Sequence, residues 1–123
     1  VIYARGASVE IRMQIHFFES LRSPIYGLTI RTLDGVTVFG ANTRSRHLVV
    51  KTPSSGDDTE IVFKFQLNVL AGDYFISLGV ADDDEQADQI AVDRRYDVLH
   101  LIVKGGPDDL GFADMEMSIS ESA

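Results

Sequence analysis

From Val9 to Phe17 apolar and polar residues alternate without a break. Val9, Ile11, Met13, Ile15 and Phe17 are separated by Glu10, Arg12, Gln14 and His16. A period of two puts one set on each face of an extended chain, so this stretch predicts a half-buried strand. Tyr26, Leu28 and Ile30, alternating with Gly27, Thr29 and Arg31, predict a second. Asp34-Gly35 then reads as a two-residue hairpin turn, because glycine accepts the positive φ such a turn requires. Val36 and Val38 open a third strand, with Phe39 on its other face. Leu48-Val49-Val50 suggests a short edge strand, closed by Pro53 and the turn-rich Ser54–Asp58. The clearest alternation follows, with Ile61, Phe63, Phe65, Leu67 and Val69 on one side and Val62, Lys64, Gln66 and Asn68 on the other. After the turn at Ala71-Gly72-Asp73, Tyr74, Ile76, Leu78 and Val80 form an inward set, and Phe75, Ser77 and Gly79 point outward. Tyr96–Lys104 is a more continuously apolar strand, broken by Gly105-Gly106-Pro107. Gly111–Ile119 predicts the last strand. About seven or eight strands with turns every 8–12 residues, and no sustained period of 3.6, define an all-β, antiparallel β-sandwich.

The chain has 123 residues. That length suits one domain, residues 1–123, and lets it bury roughly two thirds of its unfolded surface without disulfide or metal. There is no cysteine. Thiol catalysis, cysteine-based zinc sites and disulfide frameworks are thereby removed, and the composition is compatible with a cytoplasmic address. The formal net charge of −8 sets aside nucleic acid and anionic lipid surfaces as partners. No apolar run approaches the ~18 residues of a membrane helix, so no membrane insertion is expected. The chain starts on Val1 rather than Met, which is read as a fragment of a longer polypeptide or a processed form.

The chemistry-bearing motifs are few. No phosphate-cradling GxxxxGK[ST] or GxGxxG occurs, nor GxSxG or HExxH. His16, His47 and His100 lack metal-type spacing. The acidic run Asp82–Gln89 lacks the spacing and glycine of an EF-hand, so a solvated loop is expected, with no metal or cofactor. No acid stands alone on an apolar strand face, so no catalytic residue is assigned. Two polar strand faces remain. One joins Arg12, Gln14 and His16 with Lys64, Gln66 and Asn68, provided those strands pair. The other joins Thr29 and Arg31 with Phe75 and Ser77, and Gly79 leaves a shallow trough there. Planar polar side chains beside an aromatic suit sugar hydroxyls and ring faces, and side chains recur along a strand face about every 7 Å. An ordinary solvated sheet surface is the plain alternative for both faces. Phe75 either stacks on a ligand or is covered at a subunit contact. Asn42 and Thr43 are expected to bond the backbone where the chain leaves the hairpin.

Pro24–Thr43, "PIYGLTIRTLDGVTVFGANT", resembles the carbohydrate-binding C-terminal domains of the ATP-binding subunits of O-antigen polysaccharide ABC transporters, the Wzt type. The family pattern appears here as Pro24, Gly27, Leu28, Thr29, Ile30, Asp34-Gly35, Val36, Val38, Gly40, Asn42 and Thr43. Gly6, Val9, Glu10 and Ile11 agree ahead of it. Phe63, Phe65, Leu67, Asn68, Leu70, Gly72 and Tyr74, then Asp93, Arg94, Asp97, Leu99 and Val103, agree behind it, in the same order. The resemblance spans about residues 6–119. It implies an immunoglobulin-like sandwich that often forms a homodimer, and recognition of a finished polysaccharide chain, often through its modified non-reducing end. It also implies a transporter ATPase domain upstream on the same parent chain, and a cytoplasmic location at the inner face of the membrane. Two alternatives stand beside it. One is an assembly module whose last strand exchanges between subunits; the other is a sugar-active enzyme, for which the sequence offers no site.

Overall fold

A computed structural model describes residues 1–83 and 89–122 of the protein. Seven strands are present among them: β1 (Ile2–Ala4), β2 (Ser8–His16), β3 (Pro24–Thr32), β4 (Thr37–Asn42), β5 (Asp58–Gln66), β6 (Gly72–Asp83) and β7 (Gln89–Lys104). They form a five-stranded sheet in the order β1-β7-β6-β3-β4 and a two-stranded sheet of β2 and β5. Every pairing is antiparallel except β1 with β7. The chain is a β-sandwich, as the period-two pattern predicts.

The inward residues of the two sheets meet in one apolar layer. Val9 and Ile11 from β2 pack with Leu28 and Ile30 from β3, Tyr74 and Ile76 from β6, and Leu101 and Val103 from β7. A smaller cluster of Phe17, Tyr26 and Val80 closes one end. Ile76 is 0% exposed and sits on the sheet's central strand. The hydroxyl of buried Tyr74 donates to the carbonyl of Leu70 at 2.7 Å, so a polar group taken out of water keeps a partner. Burial raises the Tyr74 and Tyr26 phenol pKa values above the ordinary tyrosine range.

Four expectations change. The hairpin between β3 and β4 has three loop residues rather than two: Thr32 N–H donates to Val36 O, and Gly35 N–H to Thr32 O. Gly35 takes a φ of 83°, the left-handed position that follows a type I turn in such loops. Leu48–Val50 is not a strand. The backbone there is turned back on itself by bonds from Arg46 to Asn42 and from Leu48 to Thr43, so it enters no ladder. Gly111–Ile119 is not a strand either. Its alternation is real, but its one ladder contact is the isolated bridge between Val69 and Ala113, and Met115, Met117 and Ile119 are 80%, 78% and 89% exposed. Finally, β7 begins at Gln89 rather than Tyr96. Residues 84–88 of the expected acidic loop lie outside the described residues.

Asn42 and Thr43 act on the backbone as expected. Ser45 N–H donates to Asn42 Oδ1 at 2.7 Å, and Tyr26 N–H donates to the buried Thr43 Oγ1 at 3.1 Å. The polar end of the hairpin thus ties its exit to β3.

The start of the C-terminal segment is held by Arg5. Its guanidinium donates to Asp109 and Asp114, both at 2.9 Å, and to the carbonyl of Pro107 at 3.1 Å. Asp114 is held below the usual carboxylate range, first by the backbone N–H of Glu116 and then by Arg5. A depressed carboxyl contributes stability above its unfolded pKa and loses it as pH falls through the folded value. Hydrogen exchange at the Glu116 amide should therefore stay protected at pH 5 and rise only on acidification below the ordinary carboxylate range. Asp114→Asn should remove that dependence. In the core, Ile76→Ala should cost about 2–5 kcal/mol in urea unfolding, because the cavity opens between two sheets that cannot both collapse into it.

Candidate functional site

The outer face of the five-stranded sheet is built by register. Thr29 lies directly opposite Ser77, Arg31 opposite Phe75, and Gly27 opposite Gly79. Phe75 in turn faces His100 on β7. The expected set of Thr29, Arg31, Phe75, Ser77 and Gly79 is therefore brought together on one surface. On β4, Gly40 lies opposite Thr29 and Asn42 opposite Gly27. Gly27, Gly40 and Gly79 thus leave a shallow floor without side chains.

Aromatic groups border this floor. The Phe75 and His100 rings are stacked, 4.6 Å between centres and 12° between planes. His100 Nε2 lies 2.8 Å from Asp73 Oδ1, which fixes the ring's orientation. The Arg31 guanidinium carbon is 5.5 Å from the centre of the Tyr96 ring, a cation–π contact. Arg31 Nε is buried and has no hydrogen-bond partner. Arg31 also forms no ion pair with a carboxylate among the described residues.

Tyr96 reaches Arg31 through a bulge. Ile76 pairs with Leu99 and Leu78 with Arg95, so Ser77 alone faces Tyr96, Asp97 and Val98. The extra residues are accommodated by Asp97 at φ 52°, a left-handed conformation that Asp tolerates better than most side chains. The turned backbone is pinned by the Asp97 N–H, which donates to Ser77 Oγ at 3.0 Å. Bulges re-aim side chains, and this one tilts Tyr96 onto the face of its neighbour strands. Tyr96 escapes the sequence reading because it falls in the bulge, and His100 because the apolar run around it, from Val98 to Val103, shows no alternation. Asp97 between Tyr96 and an apolar run is the local signal, since Asp is among the few non-glycine residues that favour left-handed backbone.

The second expected face forms differently. β2 and β5 do pair, with Ser8 opposite Gln66, Glu10 opposite Lys64, Arg12 opposite Val62, Gln14 opposite Glu60 and His16 opposite Asp58. The polar side chains of β2 are occupied by acidic neighbours. Arg12 bonds Glu60 at 2.8 Å and Glu10 at 3.0 Å, Gln14 donates to Glu60 at 3.3 Å, and His16 lies 2.8 Å from Asp58. Asn68 falls beyond the end of β5, where its carbonyl accepts from the Asp114 N–H. Lys64 and Gln66 share this exposed face, across the ladder from Glu10 and Ser8, while the inward side of β5 borders a groove of about 480 Å³ against β4, walled by Phe39, Ile61, Phe63 and Phe65. No group of acids and histidines suited to a metal occurs among the described residues. Among the described residues no helix is long and apolar enough to cross a membrane.

A sandwich with this arrangement has known counterparts. The sequence profile of the Wzt C-terminal domain matches residues 2–115, and the chain belongs to that family. The crystal structure of the C-terminal domain of Wzt superposes with a TM-score of 0.85 at 27% identity, covering 97% of this chain and 72% of that one. The family is the C-terminal domain of an O-antigen ABC transporter. No curated protein sequence matches the chain.

The bulge yields a direct test. Asp97→Gly should leave stability nearly unchanged, whereas Asp97→Val should cost about 1–2 kcal/mol in urea unfolding, since a branched side chain resists left-handed backbone.

Proposed function

We propose that this domain is a non-catalytic carbohydrate-binding module that recognises O-antigen polysaccharide for export by an ABC transporter. The observation that carries the reading is the glycine-floored face of the five-stranded sheet, bordered by the Phe75–His100 stack and the Arg31–Tyr96 pair. A sugar ring is amphipathic: its faces are apolar and its rim carries hydroxyls. The floor lets a chain approach the backbone, the rings offer faces to stack on, and Thr29, Arg31 and Asn42 offer hydrogen-bonding groups along the rim. The β2–β5 face suits this role less, because Arg12, Gln14 and His16 are already bonded to Glu10, Glu60 and Asp58. In this reading an ATPase domain on the same parent chain supplies the energy of transport, and the module works at the cytoplasmic face of the membrane.

Gly79→Val tests the reading without disturbing the fold. A Cβ at Gly79 would lie 3.7 Å from the Asp93 carbonyl and 3.9 Å from Arg94 Cγ, ordinary contact distances. Valine also suits a strand. Thermal stability should therefore hold within about 0.5 kcal/mol, while retention of the O-polysaccharide from the protein's own source should weaken roughly tenfold or more, about 1.4 kcal/mol. Gln66→Ala should leave retention unchanged. Undiminished retention by Gly79→Val would move the site elsewhere.

A second reading concerns assembly. β4 and β5 each have a free edge, the groove between them is apolar, and Met115, Met117 and Ile119 stand exposed on the segment that passes Ala113 at its rim. An alternating segment beside two open edges favours a homodimer in which that segment from one copy adds to the sheet of the other. Light scattering should then show a dimer for the intact chain and a monomer after deletion of residues 115–123.

A further inference from the structure

We infer that the turn at Asp114–Glu116 is a hinge that holds the C-terminal segment off its own sheet and so commits it to a second copy of the chain. This rests on the assembly reading and assigns the residues that govern it. The segment starts out as a strand. Leu70 N–H donates to Phe112 O at 2.8 Å and Asp114 N–H to Asn68 O at 2.9 Å, on either side of the Val69–Ala113 bridge. Leu67 bonds Gly6 and Ala7 on the opposite edge, so residues 112–114 lie in line with the free edge of β5. Continued in that antiparallel register, Met115, Met117 and Ile119 would stand opposite Leu67, Phe65 and Phe63, all of which line the groove. Residues directly opposite in a ladder point to the same face, so three apolar side chains would enter an apolar gap.

The chain turns away instead. Glu116 takes a φ of 52°, a left-handed conformation incompatible with an extended strand. Asp114 ties the turn, since its Oδ1 accepts the Glu116 N–H at 3.0 Å. Its Oδ2 accepts from Arg5 Nε at 2.9 Å, and the largely buried Arg5 side chain is held in turn by Asp109 and the Pro107 carbonyl. Gly106 belongs to the same clasp, because a side chain there would occupy the space of the Arg5 guanidinium. The carboxylate is thus fixed from the sheet side while it bends the chain on the other. Met115, Met117 and Ile119 are left in solvent, although the groove that matches them begins at Ala113. A segment barred from its own sheet keeps its apolar side chains and its backbone N–H groups for the same groove in another copy. The contact is reciprocal, so two copies close on each other and no third is recruited.

Light scattering over a concentration series, with hydrogen exchange at the Ser118 and Ser120 amides, tests the hinge in the intact chain. Those two amides are the ones the continued register would aim at Lys64 and Val62 on β5. Asp114→Ala combined with Glu116→Val removes the tie and disfavours the left-handed turn. The pair should raise the dimer dissociation constant about tenfold or more, and the monomer that appears should protect both amides on its own β5. Glu116→Gly accepts the turn without strain and should associate at least as tightly as the unaltered chain. A double variant that dimerises as tightly as the unaltered chain would overturn the hinge and leave the exchange dimer standing. A monomer whose two amides exchange freely, or weaker association of Glu116→Gly, would overturn it in the same way. A dimer that survives deletion of residues 115–123, or an unaltered chain that is monomeric at every concentration, would instead overturn the assembly reading, and the hinge with it.

Discussion

The structure depends on one mismatch: a five-stranded sheet is closed by a sheet of only two strands. The apolar layer between them centres on Ile76, Leu101, Val103 and Leu28, where β2 lies over the larger sheet. Toward β4 the cover runs out. The inward side chains of β4 and β5 face each other across a gap instead of interdigitating, and Phe39 is left 47% exposed. Because apolar burial is the main favourable term in folding, that gap marks where the domain has stability still to gain from a partner. On the opposite face of the larger sheet no further layer packs among the described residues, and this is the surface on which Arg31, Phe75 and Tyr96 meet.

The two outer faces show how charge can be plentiful and yet unavailable. On β2 and β5 acids flank Arg12 along and across the ladder, so Arg12, Glu10 and Glu60 form a network. Exposed pairs of this kind add little stability, but they engage the Arg12 guanidinium from two sides. On β3 and β6 the cross-strand neighbours of Arg31 are an aromatic and a threonine, so its charge finds no acid. Placement in the ladder, rather than residue count, decides which cations are paired with an acid and which are not.

The sequence made the sheet layers legible and the chain's irregularities illegible, for one reason. Alternation reports which side of a strand faces the core, and β2, β3, β5 and β6 alternate cleanly enough for Phe75, Ser77 and Thr29 to be placed on one face in advance. Alternation says nothing about whether a neighbouring strand exists. Gly111–Ile119 has the pattern of a strand but, past its single bridge at Ala113, no ladder within this chain, and Leu48–Val50 is diverted by turn bonds to Thr43 and Asn42. It also fails wherever the count slips by a residue. Tyr96 joins the candidate site where β7 inserts extra residues opposite Ser77, a defect in periodicity that no periodic reading can anticipate, whereas His100 stands in regular register with Phe75 and is masked in the sequence by the apolar run around it.

That defect bears on how the site is built. A regular β7 would continue its ladder past Ser77 and keep Tyr96 in the alternation of its own strand. The bulge gives up ladder bonds there and holds Asp97 in a left-handed conformation, both of which oppose stability. The fold recovers part of this through the Asp97 N–H bond to Ser77 Oγ, whose hydroxyl is buried and thus rigidly aimed. Strain retained on a central sheet, away from any chain end, is difficult to account for by packing alone, since Tyr96 remains 57% exposed and contributes little to the core. What the bulge does accomplish is to fix an aromatic ring over a cation whose Nε lacks an acceptor. The local instability and the placement of Tyr96 over Arg31 are therefore two consequences of the same two-residue insertion.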